Sequence, residues 1–164
     1  MPSEIINFKP IGIIYTPFKK LEGMPIQPAG ASGVKGKIKI FPEFKDGLQD
    51  LDGFSHIILL YYLHKVKESK LKVIPFLDKK ERGVFATRAP KRPNSIGLST
   101  VKLIQIEENI IRIENVDMLN NSPLLDIKPY IPNVDHQNVT KLGWLENKLD
   151  RFKKQTSDDR FSKK

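Results

Sequence analysis

The sequence contains no cysteine. Disulfides, thiolate nucleophiles and cysteine-ligated zinc are therefore excluded, and the chain suits a reducing, cytosolic setting. It also lacks a long apolar run. The longest, residues 57–63, has seven residues, far short of the ~20 that cross a bilayer as a helix. The opening Met-Pro-Ser-Glu has no basic region followed by an apolar stretch, so no signal peptide is expected. Histidine is scarce. His56 and His64 share a face but sit too far apart along a strand for one metal, and His136 stands among polar loop residues, so no metal site is expected. No G-x-G-x-x-G and no Walker motif occurs; Gly30-Ala31-Ser32-Gly33 leads into a strand and reads as a flexible turn. What remains is 164 residues with 39% hydrophobic content, enough for one domain with an ordinary core.

Charge is present in excess and unevenly placed. Residues 65–92 hold ten Lys/Arg against three Asp/Glu, and residues 148–164 hold seven against three. These two segments carry the whole formal net charge of +9. A polyanion such as nucleic acid fits such a field, because phosphates release counterions on binding. A lysine-rich solvated surface is the other reading.

The periodicity is that of short strands. Residues 34–41 alternate strictly, with Val34, Ile38 and Ile40 against Lys35, Lys37 and Lys39. Residues 11–15, 83–87, 96–106, 110–113 and 124–130 also read as strands. Residues 54–64 are apolar on both faces, as in a central strand covered on both sides. Residues 21–33, rich in Pro and Gly, read as an irregular loop, and 43–51 as one short helical turn. The pattern predicts a mainly β fold: a single closed or nearly closed barrel over residues 1–139 with short helices. Leu142, Leu145, Leu149 and Phe152 recur at helical spacing and predict a C-terminal amphipathic helix within 140–164. Beyond Lys154 the composition reads as a frayed tail.

Two stretches carry candidate chemistry. In residues 87–98, Pro90 and Pro93 stiffen the loop that presents Arg88 and Arg92, and such guanidiniums grip carboxylates or phosphates through paired hydrogen bonds. Asn94 can cap the turn or bind a ligand; alternatively the stretch is a basic surface turn. In residues 120–130, an extended strand places Asp126, Lys128 and Tyr130 on one face. That row could move a proton or hold a substrate, or form a salt-bridged strand.

These residues resemble a known family. The segment 83–90 followed by Arg92-Pro93-Asn94 is similar to the signature of the TrmO/TsaA-like family. Ile11-Gly12 with Thr16-Pro17-Phe18-Lys19, Gly53-Phe54-Ser55-His56 and residues 125–130 fall in the family's order and spacing. The similarity covers about residues 8–135.

The resemblance implies a homodimeric β-barrel that binds S-adenosylmethionine. It implies methylation of the exocyclic nitrogen of threonylcarbamoyladenosine beside a tRNA anticodon. Cofactor contacts would come from Gln27, Pro28, Ala29, His64, Lys65, Arg88, Leu98, Asn120, Asn121, Ser122 and Pro123. Asp126, Tyr130 or Lys128 would handle the proton of the attacking nitrogen, while Arg92, Asn94, Lys79, Lys80 and Arg82 would meet the RNA. The family's bacterial members usually read Asp-Gly-Thr-Pro where this chain has Asn120-Asn121-Ser122-Pro123, and they carry a further C-terminal domain. A short form could bind S-adenosylmethionine without catalysis, or bind RNA alone.

Overall fold

The computed structural model describes residues 4–151 and 154–161. Its strands are β1 (Gly12–Tyr15), β2 (Lys35–Ile40), β3 (His56–Tyr62), β4 (Lys72–Val73), β5 (Arg82–Gly83), β6 (Ile96–Glu107), β7 (Ile110–Glu114) and β8 (Ser122–Pro129). Branched apolar side chains at every second position drive them together. In β2, Ile38 and Ile40 are buried while Lys35, Lys37 and Lys39 face solvent. Ile14, Ile57, Leu59, Val101, Ile111, Ile113 and Leu124 join them in one core.

The sheet closes as an antiparallel barrel in the order β1-β2-β7-β6-β3-β8, with β4 and β5 as a separate two-stranded sheet. Closure rests on β8. It pairs with β1 through Gly12↔Leu124 and Ile14↔Ser122, and with β3 from Ile57↔Pro129 to Tyr61↔Leu124. A closed ring leaves no strand edge open to another chain. The expected barrel is thus present. The outer face of β3, with Ile58 and Leu60, is half-buried rather than fully covered.

Three local expectations are corrected. Residues 83–87 do not form a strand: β5 ends at Gly83 and a 3-10 turn, Val84–Ala86, follows. Val84 is drawn into a second small core with Val73 and Ala89, and the Thr87 N–H and hydroxyl both donate to its carbonyl, at 3.1 and 2.8 Å. The amphipathic helix is replaced by two 3-10 turns, Gly143–Leu145 and Leu149–Arg151. Gly143 has φ 59°, which interrupts a right-handed helix. The Trp144 indole N–H donates to the Ala86 carbonyl at 2.7 Å, fixing the segment to the barrel loops. Phe152 lies outside the described residues.

The tail beyond Lys154 is not frayed either. Ser157 exchanges backbone hydrogen bonds with the segment of Gly23 and Met24, each 2.7 Å long. Phe161 packs on the second core and stacks edge-on against Phe76, while Arg160 donates to the Pro75 carbonyl at 2.7 Å.

One glycine ties the barrel to what sits above it. Gly97 pairs with Tyr61 across β3 and β6, and a Cβ there would lie 2.4 Å from the Tyr61 ring. Gly97→Ala is therefore expected to push the ring aside and destabilise the fold by about 1–3 kcal/mol. Gly83→Ala, where a Cβ meets nothing within 4 Å, should change stability by less than about 0.5 kcal/mol. Urea denaturation of both variants measures the difference.

Candidate functional site

The β8 pairings fix one end of the barrel as the place where the distinctive segments meet. The C-terminal end of β3 lies between the start of β6 and the start of β8, since Tyr61 pairs with both Gly97 and Leu124. His64 and Lys65 follow β3, Leu98 opens β6, and Asn120 to Pro123 lead into β8. The loop bearing Arg88 runs directly into β6. The end is buttressed by Asn120, whose side-chain oxygen accepts from the Thr16 N–H at 3.0 Å, and by Ser122, whose buried hydroxyl donates to the Leu119 carbonyl at 2.7 Å.

The two arginines of the stiff loop do different jobs. The Arg92 guanidinium turns inward and donates to the carbonyls of Val84, Thr87 and Ala89 at 3.1, 2.8 and 3.4 Å. Lys91 is buried and ion-paired with Glu68 at 2.7 Å. Both residues hold the loop in shape. Arg88 points outward and donates to the Gln27 side-chain oxygen at 2.9 Å. Asn94 is exposed and accepts from the Ile96 N–H through its carbonyl at 2.8 Å.

Arg88, Gln27, Thr87 and Phe161 are common walls of two adjoining cavities. The larger, about 660 Å³, adds Pro28, Ala29, Phe85, Trp144, Leu145 and Leu149. The smaller, about 370 Å³, adds Tyr61, Arg92, Leu98, Asp117, Ser157 and Asp158. Gln27, Pro28, Ala29, Arg88 and Leu98 are thereby brought together. Trp144, Leu145 and Leu149, expected to lie on or beside a helix, line the larger cavity, Ser157 and Asp158, expected in a loose tail, line the smaller, and Phe161 lines both.

Asp117 was not singled out by sequence; a lone acid between Val116 and Met118 carries no motif. Its Oδ1 accepts from the Ser99 hydroxyl at 2.6 Å, and Ser99 lies 3.1 Å from the Tyr61 hydroxyl. Because the Ser99 proton goes to the carboxylate, Tyr61 must donate to Ser99. Burial holds the Tyr61 phenol well above its ordinary value, so the phenol keeps its proton at neutral pH. Burial likewise pushes the Asp117 carboxyl up to about 6, against the pull of the Ser99 hydrogen bond and the Arg88 charge.

Other expected residues fall elsewhere or close by. The His64 Nδ1 is buried without a partner among the described residues, and burial, with Lys65 beside it, lowers its pKa. Asp126 and Lys128 do share a face and form a 2.8 Å ion pair, but Asp126 lines a third cavity with Phe44, Leu51 and Phe54. Tyr130, whose N–H donates to the His56 carbonyl, lies six residues beyond Leu124, roughly 20 Å along the strand. The row therefore descends away from Arg88. Lys79 and Lys80 are exposed, whereas Arg82 is engaged by Asp78 at 2.8 Å and lies over the Trp144 ring. Among the described residues no His, Asp and Glu group could hold a metal, and no helix is long and apolar enough to cross a membrane.

Comparison with known proteins identifies the barrel. The tRNA-methyltransferase O N-terminal domain matches residues 13–136. The chain belongs to this family. A Pyrococcus abyssi relative, named a probable S-adenosyl-L-methionine-binding protein, is 47% identical over 96% of this chain and 85% of its own. A Rattus norvegicus tRNA (adenine(37)-N6)-methyltransferase is 37% identical over 77% of this chain but 31% of its own length. The crystal structure of TrmO from Pseudomonas aeruginosa superposes with a TM-score of 0.72 at 33% identity, over 86% of this chain and 63% of that one. The family match ends at residue 136, so the cavity-lining residues Trp144, Leu145, Leu149, Ser157, Asp158 and Phe161 lie outside it.

A carboxyl raised to about 6 costs stability in this TrmO-type domain. Below pH ~4 Asp117 is protonated in both folded and unfolded chains and the cost vanishes. Between pH ~4 and ~6 the unfolded chain ionises first, so stability falls as pH rises, by up to about 3 kcal/mol at neutral pH. Asp117→Asn is expected to unfold at a higher temperature than wild type at pH 7.5, with the gap closing near pH 4. Calorimetric Tm values at both pH values test this, and an unchanged or lower Tm at pH 7.5 contradicts it.

Proposed function

We propose that this domain binds S-adenosylmethionine at the Arg88 cavities and transfers its methyl group to an adenosine of tRNA. The finer substrate we propose is the exocyclic nitrogen of threonylcarbamoyladenosine beside the anticodon. The observation that carries the reading is Arg88, held by Gln27 where the two cavities join, in a chain of the tRNA-methyltransferase O family.

The residues fit the cofactor. Apolar and aromatic walls, Ile26, Phe76, Phe85 and Trp144, suit a purine and exclude water, and the combined space suits a molecule of that size. Arg88 offers two parallel N–H groups to a carboxylate. The unpartnered His64 Nδ1 stands at the same barrel end, beside the Asn120–Pro123 turn. When bound, S-adenosylmethionine supplies a methyl group on a sulfonium, transferable by in-line displacement without a metal. The rate then depends on positioning, which the Arg92-braced loop provides. Asp126, ion-paired with Lys128, or Tyr130 is the proposed acceptor of the nitrogen's proton.

One observation favours a second reading. Asp126, Lys128 and Tyr130 run away from the Arg88 cavities, as a protein that binds S-adenosylmethionine without catalysis would permit. Incubating the protein with labelled cofactor and unfractionated tRNA separates the two. Label in tRNA nucleosides supports transfer, and cofactor binding without label supports the second reading. A homodimer in the cytosol completes the proposal. With no apolar helix formed by Leu142, Leu145 and Leu149, the dimer rests on the family resemblance, and light scattering should give twice the chain mass.

Arg88→Ala should weaken binding of S-adenosylhomocysteine by about 1.5–3 kcal/mol while leaving Tm nearly unchanged, since the side chain is exposed. Calorimetry reads both, and wild-type affinity in the variant would remove Arg88 from the site.

Lys79 and Lys80 are exposed on the basic segment that leads to Arg88. Affinity for tRNA should fall about 10³-fold or more between 50 and 200 mM salt if six or more phosphates are contacted. Lys79→Glu with Lys80→Glu should weaken tRNA binding and leave cofactor affinity unchanged. Filter binding over a salt series checks both, and a flat response would end the tRNA proposal.

A further inference from the structure

We propose that Asp117 is the partner of Arg88 in an amino-acid subsite, accepting the ligand's ammonium while Arg88 binds its carboxylate. The inference rests on the reading of the Arg88 cavities as the S-adenosylmethionine site.

The argument starts from the ligand class. An α-amino acid carries two opposite charges on one carbon, and a site that excludes water must answer both or leave one buried and unpaired. Arg88 answers the carboxylate. Asp117 lines the same 370 Å³ cavity as Arg88 and Gln27 and comes from the loop between β7 and β8. The remaining acid on that wall, Asp158, has both carboxylate oxygens on the Arg160 guanidinium at 2.7–2.9 Å. Among the described residues Asp117 has no ion pair; it has a hydroxyl, Ser99, and behind that Tyr61. Neutral donors orient a carboxylate without cancelling its charge. Gly97 makes this arrangement possible, because only a missing Cβ lets the Tyr61 ring reach Ser99.

The electrostatic cost agrees with this role. A carboxyl driven up by burial destabilises the free protein, and an arriving ammonium would relieve it. A perturbed group in a cleft, beside a specific charge partner, is a candidate for a functional site. The titratable and charged groups that line this cavity with Asp117 are Tyr61 from β3, Arg88 and Arg92 from the loop before β6, and Asp158; no Tyr, Arg or Asp ordinarily titrates between pH 5 and 8.

The test compares two ligands on the full-length chain by calorimetry at pH 7.5. S-adenosylhomocysteine carries the amino-acid arm, and 5′-methylthioadenosine lacks it. Asp117→Asn should weaken the first about tenfold or more and leave the second within about twofold. Equal affinity of variant and wild type for S-adenosylhomocysteine overturns the proposal, as does an equal loss for both ligands, which marks a structural role. If wild type binds neither ligand, the cofactor reading itself fails. Should the variant not fold, a wild-type pH series decides. The preference for S-adenosylhomocysteine over 5′-methylthioadenosine should fall as pH drops through about 6, as Asp117 takes up its proton. A constant preference from pH 5 to 8 overturns the proposal.

Discussion

The site depends on one strand closing the barrel. β8 hydrogen-bonds to β1 over its first residues and to β3 over most of its length, so both ends of the ring are tied to it. Once Tyr61 is set opposite both Leu124 and Gly97, the chain leaving β3, the chain entering β6 and the chain entering β8 must emerge side by side. The loops carrying His64, Arg88 and Asn120 come from distant parts of the sequence, yet closure leaves them no other place. The same register sends Asp126, Lys128 and Tyr130 down the opposite slope.

Most barrel strands were legible because their inward positions are Ile, Leu and Val at period two, a pattern that survives any tertiary context. Residues 83–87 have the same composition but turn, because Val84 is captured by Val73 and Ala89, neighbours that sequence does not disclose. The C-terminal misreading has a similar cause. Leu142, Leu145 and Leu149 keep helical spacing, but Gly143 takes a left-handed conformation and Trp144 is bound to Ala86, so tertiary contacts override local preference. Beyond Lys154 a polar composition concealed backbone pairing, which side-chain pattern cannot signal.

The site was partly legible for a comparable reason. Proline spacing showed that residues 87–95 are stiff, and the family motif marked Arg88. Sequence treated Arg88 and Arg92 alike, although one meets Gln27 at a cavity mouth and the other is consumed by three carbonyls of its own loop. Only geometry divides them. Asp117 could not be found at all, since its character comes from Ser99, Tyr61 and burial, none adjacent in sequence.

The charge layout adds a constraint on any ligand. A net +9 chain attracts anions broadly, and a small zwitterion gains little from that field because its charges cancel at a distance. Its recognition must come from paired charges at short range, where water screens them less than it does over a distance. A polyanion has the opposite need. It is drawn over a Debye length by exposed groups such as Lys79 and Lys80, and gains nothing from a buried carboxylate. The barrel separates these regimes in space: exposed basic side chains such as Lys79 and Lys80 lie outside on the 65–92 segment, and the half-buried acid lines the cavity. A cavity for polyanions alone would have no use for a carboxylate on its wall, and the presence of Asp117 and Arg88 around one cavity is the physical reason to propose that it takes a zwitterion.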